Sequence, residues 1–451
     1  MEKMMHGASN QHLLNKAYPD ARYAWFVAVC LQIAYAVALV DRGILALLVQ
    51  PIKADLHLTD TQFSLLAGMA FAIFYAVFGL ILGRVADRWN RRNMIIIGLI
   101  LWSLATIVCG LARNFHELFL ARIMVGAGEA ALSPAAYSMI ADYFPKERRA
   151  RPISFYTMGI CTGAGVGLLF GSVAVAYASQ AHTLILPLLG AVRNWQFVFV
   201  IVGIPGIVLA AIMLLVAEPE RRELSAPDAQ HSSLRPFLAQ HGKLIAFIIL
   251  AFALNGVVYY GIATWTPALF IRKFAWSAAR IGFAMGVLQF VAGSLGILFS
   301  GWWVGRRSVR GSGAILLTLP RAALIAMLPV ALVFGSANDA TITLVALAVL
   351  IFLCGVVSAQ SAVALYYVTP NEFRGRIVAA YLTTGTILGL GIGAYVFAAV
   401  TDYVFHNEAE VGKSCGLVFA CVVLLGAECL RRALRIIRAV PEMSATVQVT
   451  Y

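Results

Sequence analysis

The run YAVALVDRGILALLVQ, residues 35–50, places two full charges, Asp41 and Arg42, side by side in an otherwise apolar stretch. The rest of the chain is just as apolar. Of its 451 residues 61% are hydrophobic and 12% charged, and the mean hydropathy is +0.84. A soluble domain carries about 25% charged residues. One soluble core cannot absorb this excess, so much of it must face lipid. The apolar blocks recur from end to end with no polar domain between them, which sets aside a division into soluble domains of roughly 150 residues each.

Crossing the hydrocarbon takes about 20 apolar residues in a helix. Such blocks are read at 24–50, 60–83, 93–112, 117–141, 153–177 and 196–216, and again at 244–271, 278–302, 312–334, 340–368, 377–401 and 415–430. The fold class expected is an all-α integral membrane protein of 12 spans. Its units would be a first six-helix bundle over 1–216, a linker over 217–243, a second bundle over 244–430 and a tail over 431–451.

The formal charge of +13 invites a nucleic-acid reading, but the charge distribution opposes it. With both termini on the cytoplasmic side, the loops and tails of that side hold 24 Lys and Arg against 7 on the other. That is the positive-inside pattern, and it places both ends in the cytoplasm of an inner or plasma membrane. The first 22 residues lack the apolar region and small-residue cleavage site of a signal peptide. The seven cysteines, at 30, 109, 161, 354, 415, 421 and 429, form no C-x-x-C and read as small packing residues. No cofactor, metal cluster or catalytic triad is indicated, so an enzyme is not expected. GAGEAA (126–131) lies inside a span and reads as close helix packing.

The halves repeat. Glycines at 159, 163, 165 and 167 are answered at 385, 389, 391 and 393, a shift of 226. PKERRAR (145–151) is answered by PNEFRGR (370–376), and GRVADRWNRR from Gly83 by GWWVGRRSVR from Gly301. Parallel repeats of this kind place a substrate site at their interface, near the bilayer midplane.

On these motifs the chain resembles the major facilitator superfamily over nearly its whole length. GRVADRWNRR (83–92) fits the family's loop between helices 2 and 3. The resemblance implies a cytoplasmic gate of Gly83, Asp87, Arg88, Arg91 and Arg92, one-sided because Gly305 stands where the second half would need the acid. RIMVGAGEA (122–130) fits the arginine-glycine pattern of helix 4, and GICTGAGVG (159–167) resembles the exporters' helix 5 motif with Ala164 in place of its proline.

Few ionisable groups lie deep in spans: Asp41, Arg42, Arg122, Glu129 and Arg321. Each costs about 2.5–3.5 kcal/mol at a helix centre on insertion scales, so each needs a partner or a wet cavity. Asp41 and Arg42 point about 100° apart. Arg122 and Glu129 share a face roughly 10 Å apart, and Asp41 falls between them in depth, so one polar cluster is expected. Shifted by the repeat, these positions land on Val257, Val258, Leu347 and Cys354, all uncharged. A role confined to one half points to function, with Asp41 and Glu129 as proton carriers and Arg42 and Arg122 as substrate ligands. The facing half offers Asn255, Tyr259, Thr264, Gln289, Ser358, Gln360 and Tyr366, of which Asn255, Tyr259 and Gln360 are the expected substrate contacts. Both members of the opening pair are expected to border water. Arg321 reads as snorkelling or locally paired, and LRRALRIIR (430–438) as an interfacial helix.

Charge on one side of a cavity suits an amphipathic molecule with a charged head and an apolar tail. VDRGILALL, GRVADRWNRR and ARIMVGAGEAALSPAAYSMIADYFP further resemble the Spinster-type lipid transporters. That resemblance implies a lysophospholipid or sphingosine-1-phosphate-like substrate, moved by alternating access and coupled to protons, in a monomer surrounded by membrane lipids. Two alternatives stay open: a proton-coupled symporter of small organic anions, and a receptor or scaffold built on a transporter fold.

Overall fold

The computed structural model describes residues 18–86, 88–145, 148, 150–179, 184–186, 190–221, 234–308, 314–370 and 373–439. Twelve helical segments are long and apolar enough to cross a membrane: Ala21–Leu47, Asp60–Ala86, Arg91–Cys109, Phe115–Tyr143, Arg151–Tyr177, Asn194–Met213, Leu234–Phe274, Ala278–Val304, Ile315–Ser336, Ala340–Val368, Arg376–Phe405 and Glu408–Ala439. They are called spans 1 to 12. Each expected block coincides with one of them.

Local chemistry sets several ends. Asp20 caps span 1, Asn90 span 3, Asn114 span 4 and Asp339 span 10, each accepting from a backbone N–H of the first turn. These caps satisfy donors that a helix start otherwise leaves open. Span 2 opens on a capping box of Thr59 and Gln62.

Packing groups the spans into two sets of six that repeat each other. In the first set span 1 packs on 5, 3 on 6, 3 on 4 and 2 on 4; in the second, 7 on 11, 9 on 12, 9 on 10 and 8 on 10. The sets meet where span 5 packs on span 8 and span 2 on span 11. Both seams need glycine. A Cβ on Gly286 would lie 2.9 Å from the Gly165 carbonyl oxygen across the first, and one on Gly68 would strike the Leu390 carbonyl oxygen across the second.

Four features depart from the sequence reading. A two-stranded antiparallel hairpin, Leu184–Leu186 with Gly190–Val192, lies between spans 5 and 6. Span 7 begins at Leu234, inside the expected linker, so His241 falls within its helix. The tail helix does not bend into an interface: Val411–Ala439 is one helix, and Ala433, Leu434 and Ile437 are buried. Spans 4 and 10 each break mid-course. Phe115–Glu129 gives way to Leu132–Tyr143, and Ala340–Ser358 to Ser361–Val368. Matching the two breaks pairs Glu129 with Ser358, four residues past Cys354, the position reached from the loop motifs.

Candidate functional site

Span 1 carries Asp41 and Arg42, span 2 Phe71 and Tyr75, span 3 Thr106, and span 4 Arg122 and Glu129. The four charged residues expected to cluster come together. Arg42 donates from Nε to Glu129 Oε2 at 2.8 Å, and its Nη2 lies 2.6 Å from the same oxygen. Its guanidinium carbon lies 4.5 Å from the ring centroid of Phe71 and 4.8 Å from that of Tyr75. Phe71 also carries Arg122, at 5.4 Å. A cation desolvated over aromatic rings gains about 2 kcal/mol or more. Gly126 makes this arrangement possible, because a Cβ there would lie 2.6 Å from the Phe71 carbonyl oxygen.

Asp41 accepts from Thr106 Oγ1 at 3.2 Å, and its charged neighbours are Glu129, Arg122 and Arg42. It does not border water as the sequence suggested. Asp41, Arg122 and Glu129 are each 1% exposed. Of the four, only Arg42 keeps appreciable exposure, with 15% of its side chain accessible. The reason is the angle between neighbours on a helix: with Arg42 turned to the accessible side, Asp41 faces spans 3 and 4. Asp41 Oδ1, Glu129 Oε1 and Arg122 Nε have no hydrogen-bond partner among the described residues.

Sequence reading missed Phe71, Tyr75 and Thr106, which look like ordinary span residues until packing sets them against a charge. The tyrosines in the electrostatic reach of Arg42 include Tyr35, Tyr75, Tyr156 and Tyr260, and Tyr259 stands edge-on to Tyr260 at 5.3 Å. In the second half Asn255 donates from Nδ2 to Ser358 Oγ at 3.0 Å, and Gln360 donates from Nε2 to Ser300 Oγ at 2.7 Å. Arg321 Nε has no partner among the described residues.

At the end where span 1 begins and span 12 finishes, Arg91 is fully buried. It donates to Glu218 Oε1 at 2.8 Å, to Ser138 Oγ at 2.9 Å and to the Pro219 carbonyl at 2.7 Å, and it pairs with Asp142. Arg92 meets Glu218 through its backbone N–H at 2.8 Å. Ser138 and Asp142 lie on span 4 and Glu218 and Pro219 follow span 6, so these two arginines tie spans 3 and 4 to the start of the segment that leads toward the second half. Arg88 is exposed, and a Cβ on Gly83 would meet nothing within 4 Å. Asp87 lies outside the described residues.

The opposite end holds an ionic latch between the halves. Arg272, at the end of span 7, grips Asp60, at the start of span 2, through two contacts of 2.6 Å. Lys53 pairs with the same carboxylate. Glu408 closes the network, 2.7 Å from Lys53 and 3.2 Å from Arg272. Beside it Thr61 donates to Asp402 from its backbone N–H at 2.8 Å and from its hydroxyl at 2.6 Å. Asp60 is fully buried, and the Lys53 and Arg272 side chains are 6% and 8% exposed.

Known proteins match this architecture. An MFS-type efflux pump of Mycolicibacterium smegmatis is 27% identical over 413 residues, 90% of this chain and 92% of that protein. A hexuronate transporter of Bacillus subtilis is 25% identical over 61% of this chain and 63% of its own length. Protein spinster homolog 1 of Xenopus tropicalis is 28% identical over 52% of this chain and 43% of its own length. Among solved structures, a bacterial homolog of the human lysosomal transporter Spinster, inward-facing and unoccupied, superposes with a TM-score of 0.80 at 22% identity, covering 96% of this chain and all of that one. The model of the Major Facilitator Superfamily matches residues 31–394. With its two repeated six-span sets, the chain belongs to the Major Facilitator Superfamily of membrane transporters.

Proposed function

We propose that this transporter moves an amphipathic anionic lipid, of the lysophospholipid or sphingosine-1-phosphate-like class, by proton-coupled alternating access. The observation that carries the reading is the state of Arg42. It is the most exposed member of the charged cluster, and among the described residues Glu129 is the one carboxylate that holds its guanidinium. An anionic headgroup can take the place of that carboxylate. Protonation of Glu129 removes the counter-charge and frees Arg42 for the headgroup; loss of the proton restores the pair and expels it. Asp41, buried behind with Arg122, is the second proton carrier. The aromatic rings hold Arg42 in place through the exchange. The lipid tail comes from the resemblance of the sequence motifs to Spinster-type lipid transporters, and proteins named spinster are among the relatives. In this reading the latched end is the outer face, the termini are cytoplasmic by the distribution of basic residues, the membrane is the inner or plasma membrane, and the protein works as a monomer. Gly83, Asp87 and Arg88 complete the inner gate with Arg91 and Arg92.

A second reading, symport of small organic anions, draws support from the likeness to a hexuronate and a D-galactonate transporter. Flux measurements in proteoliposomes separate the two. Uptake of 1-oleoyl lysophosphatidate driven by an imposed pH gradient, competed by other long-chain lysolipids and not by short carboxylates, is the expected result. Competition by short carboxylates alone supports the second reading. No gradient dependence, with normal flux in both Asp41→Asn and Glu129→Gln, ends the proton-coupled form.

A further inference from the structure

The matched breaks in spans 4 and 10 show that the charged pair has a neutral twin. Glu129 is the last residue of the first helix of span 4, and Ser358 the last of the first helix of span 10. In one half span 1 reaches this end through Arg42; in the other span 7 reaches it through Asn255. A shift of 229 relates Glu129 to Ser358, and one of 213 relates Arg42 to Asn255. The second half has thus kept the contact while discarding its charge.

One member of the twin is exposed. Along span 10 the inward face is buried at Leu347, Leu350, Ile351 and Cys354. One turn further, on that same face, Ser358 is exposed. It stands nine residues from Val349, about half a turn round the helix, and Val349 belongs to the exposed apolar face. The exposure of Ser358 is therefore to the interior between the halves and not to lipid. Span 4 opens at the matching level, where buried Val125 and Glu129 are followed by half-buried Ser133 and exposed Tyr137.

The hydrogen-bond chemistry of the twin is directional. Asn255 Nδ2 is committed to the Ser358 hydroxyl and, at 3.4 Å, to the Cys354 carbonyl, which can only accept. The amide orientation is thereby fixed, and Oδ1 is left as an acceptor with no donor among the described residues, on a side chain 2% exposed. Gln360 repeats the pattern. Its Nε2 donates to Ser300 Oγ, whose own hydroxyl donates to the Val356 carbonyl, so its Oε1 is likewise an acceptor without a donor, on a side chain 3% exposed. A buried polar atom left unpaired is costly, and a suitable ligand recovers that cost.

We infer that Asn255 and Gln360 form a donor-selective subsite in the second half, so that the substrate carries a hydroxyl or ammonium group in addition to its anion. The first half offers Arg42 to the anion, and the second offers two amide carbonyls to the donor. This deepens the reading above and rests on it for the location of the site. It does not depend on the tail.

The test compares matched ligands that differ only in donors: 1-oleoyl lysophosphatidate with its 2-deoxy analogue, and gluconate with hexanoate. Binding to the purified full chain is read as the concentration giving half the maximal shift in Tm. In the wild type at least one pair should favour the hydroxylated member by about tenfold, one good hydrogen bond. Asn255→Leu should lower affinity for that member to the level of its deoxy partner while leaving the partner unchanged, and Gln360→Met should do so in part. Equal loss for both members in the two variants would show a structural role and overturn the inference. So would the absence of any wild-type preference in both pairs, absence of binding included. Preference for gluconate with no lysolipid binding would sustain the subsite and reject the lipid reading, so the two ideas fail separately.

Discussion

Replacing Asp60 by Asn tests how the two halves are held closed at the latched end. The Asp60 carboxylate is fully buried and receives both Arg272 contacts at 2.6 Å together with Lys53. Removing one partner of a buried ion pair costs about 3–5 kcal/mol, because the remaining charge loses its compensation. Here two cations would be left with Glu408, which is 54% exposed and so well screened. A penalty near the lower limit, about 3 kcal/mol, is the reasonable figure. It falls almost wholly on the state in which the latch is made, since opening returns all four side chains to water. At 1.4 kcal/mol per factor of ten, the equilibrium moves roughly 100-fold toward the form open at that end. Electron–electron distance measurements between labels at His116 and Asn338 would read the change, in a chain whose native cysteines are replaced. These two positions are exposed, one in each half, at the latched end. A longer-distance population should appear or grow in Asp60→Asn and in Arg272→Gln. Unchanged distributions in both variants would refute the assignment of closure to these charges.

Substituting Arg42→Lys keeps the charge but discards the planar contact with Phe71 and Tyr75; lysolipid flux should fall at least about tenfold at unchanged expression, and normal flux would dismiss the aromatic clamp. Gly126→Ala drives a Cβ against the Phe71 backbone, with an overpacking cost of about 1–3 kcal/mol; a lower Tm together with weaker lysolipid binding is expected, and a Tm equal to wild type would contradict the contact. In Arg91→Ala the Asp142 and Glu218 carboxylates lose their shared cation, and destabilisation of about 3–5 kcal/mol should show as loss of folded protein in thermal scans of detergent-purified material. Survival of Arg91→Ala at wild-type Tm would count against a structural role.

Hydropathy and charge bias made the span count legible, and charge in apolar surroundings made Asp41, Arg42, Arg122 and Glu129 legible, since both signals are carried by single residues or short windows. What stayed hidden depends on packing between distant segments. The break after Glu129 runs through two alanines and that after Ser358 through Ala359 and Gln360, none of which interrupts a helix by itself. Asp41 and Arg42 look alike in the sequence, and only the approach of spans 3 and 4 separates a buried carboxylate from a partly accessible guanidinium. Lys53, Asp60 and Arg272 sit at span ends, where a charge is normally a marker of topology. Nothing short of the closed arrangement tells that they face one another. Phe71 is one of 26 phenylalanines, and its role comes from the two arginines beside it.

The helices Leu234–Phe274 and Val411–Ala439, of 41 and 29 residues, extend about 61 and 43 Å at 1.5 Å per residue, against a hydrocarbon core of about 30 Å. They run beside each other and remain in contact near the protruding ends, where Arg432 lies 5.7 Å from the Phe247 ring. The second bundle therefore comes with a stiff mast of its own. A compact protein joined in unbroken helical register beyond Ala439 would swing with that bundle as one body, giving an imaging fiducial and a direct readout of how far the halves tilt in each turnover.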